Sequence, residues 1–359
     1  MIKRILILLL VITVSSCVKE GYFGYSSYGN IKDLVVSNQA KNAVIDTENF
    51  SVEIEIPGGV DLSTITIQSL ELSSFATSNK NIGDILDLNE PAQIQIVAED
   101  GSVYHWTVTS FVASVTPQID NYNLNLWYKT ASGYYEPGGD ANTTVWGTGN
   151  PGTQILNKLA TTPFDFGNGN YGAKLETLDN GKLAGTFGAP ISAGSIFTGK
   201  FDSDKIDPSN PQAAIHFGIP FVGRPSKLKL KYKFSPGDVN KDKNGNVLAY
   251  PDMLDIYALL EIRFSGKIQR LSTAWLRSSD NTSELNTVEI PFNYGELDSS
   301  FPDYMKPVDG VYVSQDSAQF VLPTHITFVA SSSFDGANFA GAIGSTLIID
   351  DVEMVYDEE

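Results

Sequence analysis

Residues 50–56 read Phe-Ser-Val-Glu-Ile-Glu-Ile, with an apolar side chain at every second position. Successive side chains of a strand point to opposite faces, so this run buries one face and wets the other. Pro57-Gly58-Gly59 then stops it, because proline cannot donate to a ladder and glycine suits a turn. The alternation returns in Ile65-Thr66-Ile67, Leu70-Glu71-Leu72 and Ala92-Gln93-Ile94-Gln95-Ile96-Val97. After the turn Glu99-Asp100-Gly101-Ser102 comes Val103-Tyr104-His105-Trp106-Thr107-Val108, rich in β-branched and aromatic residues. Short strands punctuated by turns predict an immunoglobulin-like sandwich over residues 31–115.

Thr116-Pro117 reads as a hinge, and the chain stays β in flavour beyond it. Strand candidates lie near 123–128, 171–178, 213–219, 227–234, 254–264, 286–291, 324–330 and 345–356. Only 153–160 (TQILNKLA) suggests a helix, and no long stretch keeps a 3.6-residue apolar period. Many short strands in so large a piece favour a jelly roll over residues 118–359. The expected fold class is therefore all-β: an N-terminal immunoglobulin-like β-sandwich followed by a larger β-sandwich jelly roll.

The first residues read differently. Lys3 and Arg4 precede the apolar run Ile5–Val14, and the small residues Ser15 and Ser16 precede Cys17, the only cysteine in the chain. This shape predicts a signal peptide over 1–16, its apolar run too short to span a bilayer. Val14-Ser15-Ser16-Cys17 resembles a bacterial lipobox, which implies cleavage before Cys17 and acylation of its sulfur. Residues 17–30, rich in Gly, Ser and Tyr, would be a lipidated flexible tether. Lys19-Glu20 resembles the signal that sends Bacteroidetes lipoproteins to the outer face of the outer membrane. The expected place is the outer membrane, exposed at the cell surface, with membrane lipid as one partner.

The formal charge is −18, and −20 once Lys3 and Arg4 leave with the leader. So acidic a chain repels nucleic acid, which is not an expected partner. With one cysteine there is neither a disulfide framework nor a thiolate metal site.

Several motifs invite sharper readings. Gly147-Thr148-Gly149-Asn150-Pro151-Gly152 fits G-x-G-x-x-G, but a polar loop precedes it and no βαβ unit surrounds it, so a dinucleotide site is not expected. Asp238–Asn246 places oxygen side chains at alternate positions, like a calcium loop. Neither register supplies both the glycine and the closing acid, so a solvated hairpin is expected and a structural calcium ion is the alternative. No other cofactor is called for. Glu53 and Glu55 alternate with buried positions and should face solvent, whereas Glu261 and Arg263 share a strand face and should form an ion pair. His105, His216 and His325 are isolated and read as structural. Aromatics carry more, since rings stack on sugar C–H faces while nearby polar groups meet the hydroxyls. Trp127, Tyr128, Tyr134, Tyr135, Trp146, Tyr171 and Trp275 all fall in the larger domain.

Two resemblances bear on function. Residues 31–115 resemble the small sandwich domains at the front of Bacteroidetes surface lipoproteins, where such domains act as spacers. Trp146-Gly147-Thr148-Gly149-Asn150, Ile196–Phe201, Gly218-Ile219-Pro220-Phe221 with Arg224-Pro225, Tyr232–Gly237 and Asp255-Ile256-Tyr257 occur in the order of a lipoprotein C-terminal family. That family is known as the putative carbohydrate metabolism domain. The closing strand 345–356 likewise resembles the last strand of carbohydrate-binding jelly rolls. The resemblance implies a jelly roll with a glycan pocket, serving polysaccharide capture or utilisation alongside other such proteins. It implies a site in which Trp146 and Asn150 form a wall, Lys200 and Arg224 reach hydroxyls, and Asp255 and Glu261 orient them. A glycoside hydrolase or lyase with acids converging from separate strands is the rival. A structural surface or assembly protein is the third reading.

Overall fold

The structure is a computed structural model that describes residues 24–57, 60–112, 116–207, 210–264 and 266–357. Cys17 and Lys19-Glu20 lie outside the described residues. The chain falls into two compact units. One is drawn from residues before 110, and the other from Ser110–Glu359 with the short segments Asn38–Val44 and Ile54–Val60. The fold class is all-β.

The N-terminal strands make a three-stranded sheet (Ile31–Val36, Ile65–Leu72, Ile85–Leu86) and a five-stranded one. The latter runs Val44–Asp46, Ser51–Ile56, Val103–Val112, Ala92–Val97, Thr77–Ser78. The alternation read at residues 50–56 is literal: Val52, Ile54 and Ile56 are buried and Glu53 is exposed. Glu55 departs from the expectation of a solvent-facing acid. It is partly covered and lies 3.6 Å from the Lys41 ammonium. Trp106 is wholly buried, and its indole N–H donates to the Gly29 carbonyl at 2.9 Å.

The larger unit is a β-sandwich. Its five-stranded antiparallel sheet runs Thr161–Gly167, Asn170–Glu176, Thr346–Val355, Lys227–Ser235, Asn286–Pro291. Opposite it, Trp146–Thr148, Ser195–Phe201, His325–Ser331, Leu254–Phe264, Lys267–Ser278 and Asn293–Tyr294 form the spine of an eight-stranded sheet. Successive strands pass back and forth between the sheets, as in a jelly roll. One apolar core lies between them, and it includes Ile196, Leu228, Phe234, Ile256, Leu260, Phe328, Leu347 and Ile349.

The outer faces of these sheets differ, and the difference locates the site. On the five-stranded sheet Lys227, Lys229 and Lys231 alternate with buried Leu228 and Leu230. Their ammonium groups meet Glu289, Glu353 and Asp351 at 2.7, 2.8 and 2.6 Å. Such half-exposed pairs stabilise little and keep that face wet. The eight-stranded sheet instead carries Phe197, Asp255, Tyr257 and Val329 on its outer face, roofed by loops.

Three long strands of the sandwich lie outside the positions expected from the sequence: Thr161–Gly167, Ser195–Phe201 and Lys267–Ser278. In the last, Leu271, Ser272, Thr273 and Ala274 are all buried, because core covers one face and loops the other. The helix expected over 153–160 is instead a single turn at Asn150–Gln154, entered through Pro151. Gly147 packs where a Cβ would meet the Phe197 ring at 2.7 Å, so packing requires a glycine there. In the 238–246 loop Asp242 spends its carboxylate on Asn244 and Asn246, the hydrogen bonding of a hairpin turn.

Candidate functional site

A cavity of about 480 Å³ opens on the outer face of the eight-stranded sheet. Register builds its floor. Phe197, Val329 and Tyr257 sit side by side on neighbouring strands, as do Ser195, Ser331 and Asp255 in the next row. The walls come from Gly149–Leu156, the loop around Phe187, Ile206 and Asp207, Ala214, Ile215 and Phe217, and the segment Phe334–Phe339.

At one end Asp255 is nearly buried and fully engaged. Arg277 grips it through Nε at 3.0 Å and a terminal nitrogen at 2.9 Å, and the Trp275 indole N–H donates at 2.6 Å. Burial pushes the Asp255 carboxyl above the usual range, while Arg277 and Trp275 pull against that shift. The Arg277 guanidinium in turn lies between two rings, 4.0 Å from the centre of Tyr304 and 4.3 Å from that of Phe334. Tyr257 and Trp275 stand 4.3 Å apart, and Trp275 meets Tyr304 edge-on at 5.6 Å. Tyr257, Trp275 and Tyr304 thus make an aromatic shelf bordering the cavity, with Tyr304 40% exposed at its outer end. Such a shelf can stack on the C–H face of a sugar.

Of the six side chains expected to bind carbohydrate, only Asp255 lines this cavity. Trp146 is a correction. It is 3% exposed and part of the core, edge-on to Phe328 at 5.6 Å, with its N–H bonded to the Asp120 carbonyl at 2.7 Å. The glycines beside it let its backbone enter the sheet; they do not lift the ring to solvent. Asn150 is fully buried and clamps both backbone groups of Thr161, at 2.7 and 2.9 Å. It has no face to offer a ligand.

Arg224 is spent on the carbonyls of Val321 and Ala318 and on the Tyr294 ring, 4.2 Å away. Lys200 is exposed opposite His216 and does not line the cavity. Glu261 is buried in the expected ion pair with Arg263, which also donates to Thr327 at 3.0 Å. That cluster keeps His325 neutral: burial first, then Arg263, hold its pKa down to about 3. None of these five lines the cavity.

The residues that replace them carry a faint sequence signal. Asp255-x-Tyr257 and Trp275-x-Arg277 each place two functional side chains on one strand face. Their pairing across the hairpin, Asp255 opposite Arg277 and Tyr257 opposite Trp275, is a matter of register. Tyr304 and Phe334 arrive from loops. Asp207 is the other carboxylate of the cavity lining. Other buried acids, Glu136, Asp252 and Asp350, lie elsewhere; Glu136 is pushed up to about 7 by burial, against a hydrogen bond from Thr148. Among the described residues, no group of three or more His, Cys, Asp and Glu side chains could hold a metal ion.

Known proteins extend this picture. No curated protein matches the chain. A solved structure named a putative glycoside hydrolase from Bacteroides thetaiotaomicron is 27% identical, with a TM-score of 0.59. The match covers 92% of this chain and 97% of that one. A second, a putative glycoside hydrolase from Bacteroides vulgatus, is 28% identical with a TM-score of 0.51, covering 66% of this chain and 97% of its own. Residues 120–355 match one protein family over nearly the whole of the larger unit, and the chain belongs to that family, the putative carbohydrate metabolism domain.

Proposed function

We propose that this protein is a cell-envelope lipoprotein that captures a glycan on the shelf of Tyr257, Trp275 and Tyr304. The observation that carries the reading is the shelf itself: three rings held around the Asp255–Arg277 pair, beside a cavity, on one face of a sandwich. Membership in a carbohydrate-metabolism family supports it. A flat, pocket-free face would suit a purely structural surface protein, and the cavity speaks against that role. Residues 31–115 would serve as a spacer between this site and the membrane.

Tyr304→Ala tests the reading. Its ring is half outside the protein, so stability should move little, whereas loss of a stacking ring should weaken binding about tenfold, or ~1.4 kcal/mol. A panel of polysaccharides is titrated against parent and variant. Unchanged affinity for a glycan that the parent binds would remove the shelf from the site.

Hydrolysis is the second reading, favoured by the two carboxylates of the cavity lining, Asp207 and Asp255, and by the names of both similar structures. A glycosidase flanks the scissile bond with two such acids. Release of reducing ends by the parent, abolished in Asp207→Asn, would promote this reading above simple capture.

The envelope location rests on Cys17. Cys17→Ala should shift the protein from the membrane pellet to the soluble fraction, because the acyl chains supply durable attachment. A variant that stays with the membrane after a carbonate wash would refute the anchor.

A further inference from the structure

The cavity is chemically unlike the shelf next to it. Six phenylalanines line it: Phe187, Phe197, Phe201, Phe217, Phe334 and Phe339. A sugar hydroxyl that leaves water needs a hydrogen-bond partner, or its burial is costly. Most polar side chains of this lining are already committed. Ser333 Oγ donates to Asp252 at 2.5 Å and Ser331 Oγ to the Ser333 carbonyl at 2.8 Å. Thr153 Oγ1 donates to the Asn150 carbonyl at 3.4 Å. The Asn180 amide donates to the Ala189 carbonyl and to Ser192 Oγ, at 2.9 and 2.7 Å. Both Asp255 oxygens are taken by Arg277 and Trp275. Asn180 Oδ1 is a buried side-chain atom of the lining without a partner, and Ser195, Asp207 and Tyr257 are its few further polar side chains.

The rim is apolar as well. Phe187 is 70% exposed and Ile155 64%, both lining the mouth. Large apolar side chains gathered around an opening, rather than scattered singly, mark a binding surface. The size is also informative. An apolar cavity of about 150 Å³ stays dry and takes up benzene; this one, at about 480 Å³, has room for roughly three such rings.

We propose that the cavity binds a hydrocarbon group, an alkyl or acyl chain or an aryl ring, carried by the ligand whose polar part lies on the shelf. The polar part rests on the glycan reading above; the hydrocarbon part rests on the cavity alone. The ligand class is thus an apolar-substituted glycan rather than a plain polysaccharide.

The experiment is a set of calorimetric titrations of the full chain, each below the micelle-forming concentration of its ligand. The first series is n-alkyl glucosides from methyl to octyl, the second n-alkyl carboxylates of matching length, and phenyl glucoside is added to separate aryl from alkyl preference. Each methylene buried should tighten binding about fourfold until the cavity is filled. Phe187→Asp, which charges the rim, should flatten that dependence without shifting the melting temperature, since the ring is exposed. Ala337→Trp, which narrows the mouth from another segment, should do the same. Affinity independent of chain length in both series would overturn the proposal, and so would a chain-length dependence untouched by both variants.

The glycan reading fails separately. If glucosides bind no more tightly than carboxylates of equal length, and Tyr304→Ala changes neither, the hydrocarbon cavity stands and the sugar shelf does not.

Discussion

Trp146→Ala will destabilise the larger unit by about 3–5 kcal/mol, the cost of emptying a core site occupied by a large ring. The indole is 3% exposed, packs edge-on against Phe328 and donates to the Asp120 carbonyl. Truncation removes both contacts and leaves that carbonyl without its partner. For a unit of this size each kcal/mol moves the melting temperature by about 2–4 °C, so a drop of roughly 10 °C is expected. Trp146→Phe keeps most of the volume and loses the hydrogen bond, so it should cost only about 1–2 kcal/mol. Thermal melts of the two variants give the order. Below its melting transition the alanine variant should bind ligand as the parent does. A melt that barely moves, with affinity lost, would return Trp146 to the ligand site.

Arg277→Ala will be comparably severe for a different reason. Arg277 and Asp255 are 13% and 7% exposed as side chains, and the guanidinium holds the carboxylate with two nitrogens. Removing one partner of a buried pair leaves an uncompensated charge, which typically costs about 3–5 kcal/mol. The loss should depend on pH. Without Arg277 the folded-state pKa of Asp255 rises further above its unfolded value, so the folded protein binds the extra proton. Stability is then highest at low pH and falls as pH rises through the folded-state pKa. Denaturation of the variant should therefore show a smaller deficit in mild acid than at neutral or alkaline pH. The double variant Arg277→Leu/Asp255→Asn removes both charges and should recover most of the loss. An Arg277→Ala penalty that is flat with pH, or a double variant no better than the single, would mean that the pair is not the source of the cost. Because Arg277 also supports Tyr304, binding on the shelf should weaken in the single variant even where it is folded.

Much of the fold could be read from local pattern. The period-two runs 50–56 and 227–234 are strands with one wet face, and the structure keeps them so, Glu53 and the Lys227–Lys231 series outward. That inference succeeds because alternation reports a difference between two faces. It fails at Lys267–Ser278, where core covers one face and loops the other and the difference vanishes.

The site obeys the same logic. Trp146 stands beside glycines, and its position in the sequence cannot say whether its ring turns inward or outward. The sandwich turned it inward, because its strand pairs with Ser195–Phe201 and presents the ring to Phe328. Asn150 and Arg224 look like ligand-binding polar groups but satisfy buried carbonyls that the folded backbone leaves bare.

Local pattern alone carried the all-β class, the strands with one wet face and the Glu261–Arg263 pair. Tertiary structure decided which aromatics meet. Tyr257 and Trp275 become neighbours only through the register of their hairpin, and Tyr304 and Phe334 arrive from loops far along the chain. Pattern encodes which way a side chain faces relative to its neighbours in sequence; a site needs side chains that are distant in sequence, and only packing brings those together.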